Sequence, residues 1–121
     1  MSKTILLTDD DQGFRTSVKS ILELENFQVL EAENGVEALV ILKSNSVDLL
    51  LTDVLMPDME GIELSYKVGQ LMPDLKVIGM TGGGRLSKDS VHNSAKNFFA
   101  SFLIKPFSRE QLLSEINKLL A

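Results

Sequence analysis

The chain contains no cysteine, so a disulfide framework, a thiolate zinc site, an iron–sulfur cluster and a cysteine nucleophile are all excluded. No apolar run approaches the roughly 18 residues a membrane span requires. Met1-Ser2-Lys3 leads straight into a short strand-like segment rather than the apolar stretch of a signal peptide, so a cytoplasmic protein with no membrane partner is expected. There is no Lys/Arg run either, and 12 basic against 17 acidic residues give a net charge of −5. That balance argues against direct nucleic-acid binding, which needs a positive surface to displace counterions from phosphate. Low-complexity tracts, internal repeats and long linkers are also missing. The 121 residues suit one compact domain, 1–121, built around one core.

What is present is a regular alternation. Short apolar runs occur at Thr4 to Leu7, Phe27 to Leu30, Val47 to Leu51, Leu75 to Met80 and Phe98 to Ile104, each of strand length. Segments with helical spacing or helix-end signals follow each of them. Phe14, Val18, Ile21 and Leu22 form one stripe, and Leu112, Leu113, Ile116, Leu119 and Leu120 another. Ser108 and Gln111 match a capping box at the start of the last helix. Helices are also expected over Asn34 to Lys43, over Glu60 to Gln70 with Leu64, Val68 and Leu71 facing inward, and over Leu86 to Lys96. The last of these has only Leu86, Val91 and Ala95 to bury and should be the most mobile. Five β-α units imply an α/β protein, a parallel sheet with helices on both faces. The alternating segment Phe27 to Ala32 suits an edge strand, whereas the nearly all-apolar Val47 to Leu51 suits the interior.

The strand ends carry the chemistry. The first strand runs into Asp9-Asp10-Asp11, the third into Asp53, the fourth into Thr81 and the fifth into Lys105. In an open parallel sheet the C-terminal strand ends share one edge, where ligands bind at the reversal of strand order. Clustered carboxylates repel, and a hard divalent cation is the simplest remedy. Mg²⁺ suits such a set, with Mn²⁺ as a substitute. Asp10 and Asp53 fit as direct ligands, Asp9 through a water, and the backbone carbonyl of Leu55 as a further oxygen. Asp53 is also the natural nucleophile towards phosphorus, with Lys105 and Thr81 placed to stabilise charge on the transferring group.

Together these residues identify a resemblance. Leu6-Leu7-Thr8-Asp9-Asp10-Asp11, Leu51 to Gly61 (LTDVLMPDMEG), Met80-Thr81-Gly82 and Lys105-Pro106-Phe107 match, in order and spacing and over the whole chain, the CheY-like receiver domains of two-component response regulators. The resemblance implies a flavodoxin-like (βα)5 doubly wound sandwich with strand order 2-1-3-4-5. It also implies Mg²⁺-dependent transfer of a phosphoryl group to Asp53 from a phosphohistidine on a sensor histidine kinase or a histidine phosphotransfer protein. A cis Lys105–Pro106 peptide is implied as well. So is a switch in which Thr81 and Phe102 move on phosphorylation and alter the surface of the fourth helix, fifth strand and fifth helix towards a downstream effector. Self-association into a homodimer through that surface is a family habit. Leu55 and Gly83, at positions that tune water attack in the family, cannot orient a water through a side chain, and slow self-dephosphorylation is expected.

Taken singly, each signal has a plainer reading. The three aspartates can be a helix cap and its solvated neighbours, Asp53 a turn residue, Thr81 a loop hydroxyl, Lys105 a surface charge, Phe102 ordinary packing and His92 a surface residue. The glycines Gly82-Gly83-Gly84 read as a loop, since no Gly-Lys-Ser/Thr follows them, and Met56-Pro57 shapes a turn with Met59 beneath. Phe98-Phe99 has no functional reading. Two rival functions remain: a Mg²⁺-dependent aspartyl-phosphate phosphohydrolase using Asp9 as nucleophile and Asp11 as acid, and a receiver-shaped interaction domain that works without phosphorylation. The leading reading is a signalling module that catalyses its own phosphorylation and turns over no separate substrate.

Overall fold

The computed structural model describes residues 2–54, 61–82 and 99–121. Its elements run β1 (Thr4–Thr8), α1 (Gln12–Leu24), β2 (Gln28–Ala32), α2 (Gly35–Ser44), β3 (Leu49–Asp53), α3 (Gly61–Leu71), β4 (Lys76–Gly82), β5 (Ser101–Lys105) and α4 (Arg109–Leu120). The expected helix at Leu86 to Lys96, His92, the Leu55 carbonyl, Met56-Pro57, Met59, Gly83, Gly84 and Phe98 lie outside the described residues.

The five strands form one parallel sheet of order β2-β1-β3-β4-β5, the doubly wound arrangement anticipated. Every strand ends further along the chain than its apolar run. Thr8, Thr52-Asp53, Thr81-Gly82 and Lys105 are all inside the ladder, while Phe27, Val47 and Leu75 precede it. Ladder hydrogen bonds belong to the backbone, so pairing continues through polar residues as long as the register holds. Thr8 is thus opposite Thr52, Asp53 opposite Met80, and Gly82 opposite Lys105.

Side-chain alternation splits the core in two. Leu6, Leu50, Val54 and Val77 pack with Ala38 and Leu42 of α2 and Leu64 and Val68 of α3. On the other face Ile5, Leu7, Leu49, Leu51, Ile78 and Met80 pack with Val18 and Leu22 of α1 and Leu112 and Ile116 of α4. Helices therefore cover both faces. β2 is an edge strand and is only half-buried, and β3 is central and dry.

The caps explain where the helices begin. The Asn34 side chain accepts from the Glu37 N–H at 2.8 Å to start α2. The Ser108–Gln111 capping box is formed in both directions, at 3.0 and 2.8 Å. α1 ends through Asn26, whose φ of 68° is the left-handed geometry that short polar side chains tolerate beyond a helix C-terminus. The continuous apolar run Ala38 to Leu42 in α2 has no periodic face of its own, and the helix buries a line of Gly35, Ala38 and Leu42 while leaving Val36 and Val40 exposed. One detail differs from expectation. Leu71, assigned to the buried stripe of α3, is exposed, because it lies in the final residue of a helix whose inward line ends at Val68. Among the described residues no helix is long and apolar enough to cross a membrane.

Candidate functional site

Strand order reverses between β1 and β3, which lie side by side although β2 separates them in sequence. The two strands end together at Asp9 and Asp53. Here the carboxylates of Asp9, Asp10 and Asp53 place one oxygen each within 4.8 Å of one another. Lys105, from the far edge strand, reaches over β4 and donates to Asp9 Oδ2 at 2.6 Å and to Asp53 Oδ2 at 3.3 Å. Residues separated by 96 and 52 positions in the chain thus meet at one point.

The three carboxylates are not equivalent. Asp9 is fully buried and both of its oxygens are engaged: Oδ1 accepts the Asp11 N–H at 2.9 Å and Oδ2 accepts from Lys105. Asp10 is exposed, and the Asp53 side chain is 15% exposed. Asp11 is not a fourth member, since its side chain caps α1 by accepting the Phe14 N–H at 3.1 Å. The plain reading of the aspartate run thus applies to one residue of the three. Arg15 donates to the Asp9 carbonyl and to Glu31 at 3.3 Å, tying the end of β1 to the edge strand.

Charge sets the chemistry. Three carboxylates against one ammonium leave two negative charges in a partly buried spot. Two unit charges 4.8 Å apart repel by about 1 kcal/mol in water and about 3 to 4 kcal/mol at an effective dielectric of 20. A hard dication matches both the excess charge and the all-oxygen donor set. The residues present therefore fit Mg²⁺.

Thr81 stands at the same edge of the sheet, 8% exposed, one residue beyond the Asp53 partner Met80. The Lys105–Pro106 peptide is cis. Phe102 is half-buried, packed on the α2/α3 face with its ring centroid 4.9 Å from that of Phe99. Gly79 makes that aromatic pair fit. A Cβ there would lie 2.9 Å from two Phe99 ring carbons and 3.1 Å from Phe102 Cδ1. Phe99 is accordingly a core residue, 7% exposed.

Two residues at the site receive no role of their own from sequence. Gly61 is one: a Cβ would fall 2.1 Å from the Asp53 carbonyl oxygen, and its own N–H donates to the Val54 carbonyl at 2.7 Å. α3 therefore starts directly against the backbone that carries Asp53. Phe14 is another, with Lys105 Nζ 4.2 Å from its ring centroid. Its helical spacing marked it only as a core position.

Comparison with known proteins agrees with this arrangement. The family model described as the response regulator receiver domain matches residues 5–117. A response regulator receiver protein of Brucella abortus, CpdR, is 36% identical over 98% of this chain and 97% of its own. A CheY-like receiver domain protein from Methanospirillum hungatei superposes with a TM-score of 0.90 at 34% identity, covering 99% of this chain and 94% of that one. The Thermotoga maritima response regulator TrrA, solved in complex with Mg²⁺ and BeF, gives a TM-score of 0.88 at 29% identity, covering 98% and 99%. The chain belongs to the response regulator receiver domain family of two-component signalling. Members of that family act between histidine kinases and downstream effectors.

Proposed function

We propose that Asp53 is the phosphoacceptor of this receiver domain and that the whole chain, 1–121, acts as one phosphorylation-operated unit in the cytoplasm. The observation that carries the reading is the position of its carboxylate. It is partly open, at the reversal of strand order, 3.3 Å from the Lys105 ammonium and within 4.8 Å of the Asp9 and Asp10 oxygens. One Asp53 oxygen forms the new O–P bond as the N–P bond of a donor phosphohistidine breaks, and the imidazole leaves neutral, keeping the proton on its other ring nitrogen. Lys105 meets the negative charge on the transferred oxygens, joined by the Thr81 hydroxyl. Mg²⁺, or Mn²⁺ in its place, held by Asp10, Asp53, the Leu55 carbonyl and Asp9 through a water, would add positive charge for the same group. The engagement of both Asp9 oxygens supports an indirect role for that residue. The donor is a sensor histidine kinase or a histidine phosphotransfer protein, and Thr81 and Phe102 relay the change to the surface around β5 and α4.

The same engagement disfavours a hydrolase in which Asp9 attacks phosphorus. Asp9 is fully buried and each of its oxygens already holds a donor, which places it poorly for attack on a phosphorus arriving from solvent, and Asp11 is occupied as a cap. The experiment is incubation with acetyl phosphate and Mg²⁺ followed by intact-mass analysis. The expected result is a stable single-phosphoryl gain, absent in Asp53→Asn and absent after chelation of the metal. Continuous phosphate release that persists in Asp53→Asn and disappears in Asp9→Asn would overturn the reading.

A further inference from the structure

The Lys105 ammonium has three donors and a crowd of acidic acceptors around it, so something must decide which geometry it keeps. Two donors are used on Asp9 and Asp53. Over it lies the Phe14 ring, with the centroid 4.2 Å from Nζ, well inside the roughly 6 Å at which a ring's negative face attracts a cation. The ring is itself held from two directions. Its edge-to-face contact with Phe107, 5.8 Å between centroids and 85° between planes, comes from the same segment that carries Lys105. Its backbone N–H is bound by Asp11, whose own N–H is bound by Asp9. Phe14 is therefore fixed to both halves of the salt bridge it covers.

We infer that Phe14 is a positioning residue for Lys105: its ring confines the ammonium to the Asp9–Asp53 side of the site without adding a competing charge. A carboxylate at that position would draw Nζ away from Asp53. An aliphatic side chain would fill the space without attracting the cation. The ring does neither, because its attraction comes from a quadrupole that cannot replace a hydrogen bond. This inference rests on Lys105 acting in phosphoryl transfer to Asp53.

The test is a series at saturating Mg²⁺ with acetyl phosphate as donor, reading the phosphorylation rate at saturating donor separately from the half-saturating concentration. Phe14→Leu keeps apolar volume and loses the π face, whereas Phe14→Tyr and Phe14→Trp keep it. The expected result is a loss of roughly threefold to tenfold in the saturated rate for Leu, with Tyr and Trp close to the parent. The half-saturating concentration should be unchanged. In a Lys105→Met background, Phe14→Leu should have no further effect, because the ring then has no cation to hold. Equal rates for Leu, Tyr and the parent would overturn the inference, as would the same Leu penalty with Lys105 already replaced. Asp53→Asn run alongside separates the cases: if it still gains a phosphoryl group, the phosphoacceptor reading has failed instead.

Discussion

Gly61→Ala should damage both the stability of this domain and the placement of Asp53, its proposed phosphoacceptor, and the structure gives the scale. An added Cβ would stand 2.1 Å from the Asp53 carbonyl oxygen, 2.8 Å from Val54 Cα and 2.9 Å from the Asp53 carbonyl carbon. All three are backbone atoms, so no side chain can swing aside. Reaching even 3.0 Å from the oxygen requires the start of α3 and the end of β3 to separate by about 0.9 Å. The 2.7 Å hydrogen bond from the Gly61 N–H to the Val54 carbonyl opposes that movement. Overpacking of this kind costs about 1 to 3 kcal/mol, which for a domain of this size lowers Tm by roughly 5 to 15 °C. The functional cost follows from the same displacement. Catalytic groups hold their geometry to about 0.5 Å, and a misplacement near 1 Å costs on the order of a hundredfold in rate. Calorimetry gives the first quantity, and the initial rate of Asp53 phosphorylation by acetyl phosphate, below the melting transition, gives the second. An alanine variant that melts with the parent would refute the packing argument. One that melts early but phosphorylates at the parental rate would refute the claim that α3 sets the position of Asp53.

Three further outcomes are expected. Thr8 is fully buried beside the site and its hydroxyl has no hydrogen-bond partner among the described residues, so Thr8→Val should raise stability by about 1 kcal/mol in urea denaturation. The Ser101 hydroxyl donates to Glu115 at 2.7 Å, and this bond, helped by Lys118 and opposed by partial burial, holds the Glu115 carboxyl below its ordinary value of 4.5. A lowered folded value means that stabilisation is present above the ordinary glutamate range and lost as pH falls through the folded value. Ser101→Ala should therefore cost about 1 kcal/mol at pH 7 and progressively less as the pH is lowered through the folded value, read from melts over a pH series. Finally, since the resemblance puts Leu55 and Gly83 at the positions that tune water attack in the family, purified phosphoprotein in Mg²⁺ should lose its phosphoryl group slowly. A Leu55→Asn variant losing it no faster would contradict that explanation.

Local patterns in the chain determined much of this protein. The sequence of strands, the described helices, the half-buried edge at β2, the dry interior at β3 and the capping box at Ser108 all follow from apolar period and short-range hydrogen bonding, which a linear reading can register. The residue types at the strand ends followed too, because a parallel sheet puts those ends on one edge wherever the strands stop. The tertiary structure alone decided how these groups divide the work. It buried Asp9 and gave both its oxygens partners, left Asp10 in solvent, and turned Asp11 into a cap, although the three are adjacent and chemically identical. It laid Phe14 over Lys105, brought the start of α3 against the backbone of Asp53, and let Gly79 admit the Phe99 and Phe102 rings. Apart from the local bonds at Asp11, those decisions depend on distances between elements far apart in the chain, and such distances are set by how both faces of the sheet pack at once, which periodicity within one segment does not encode.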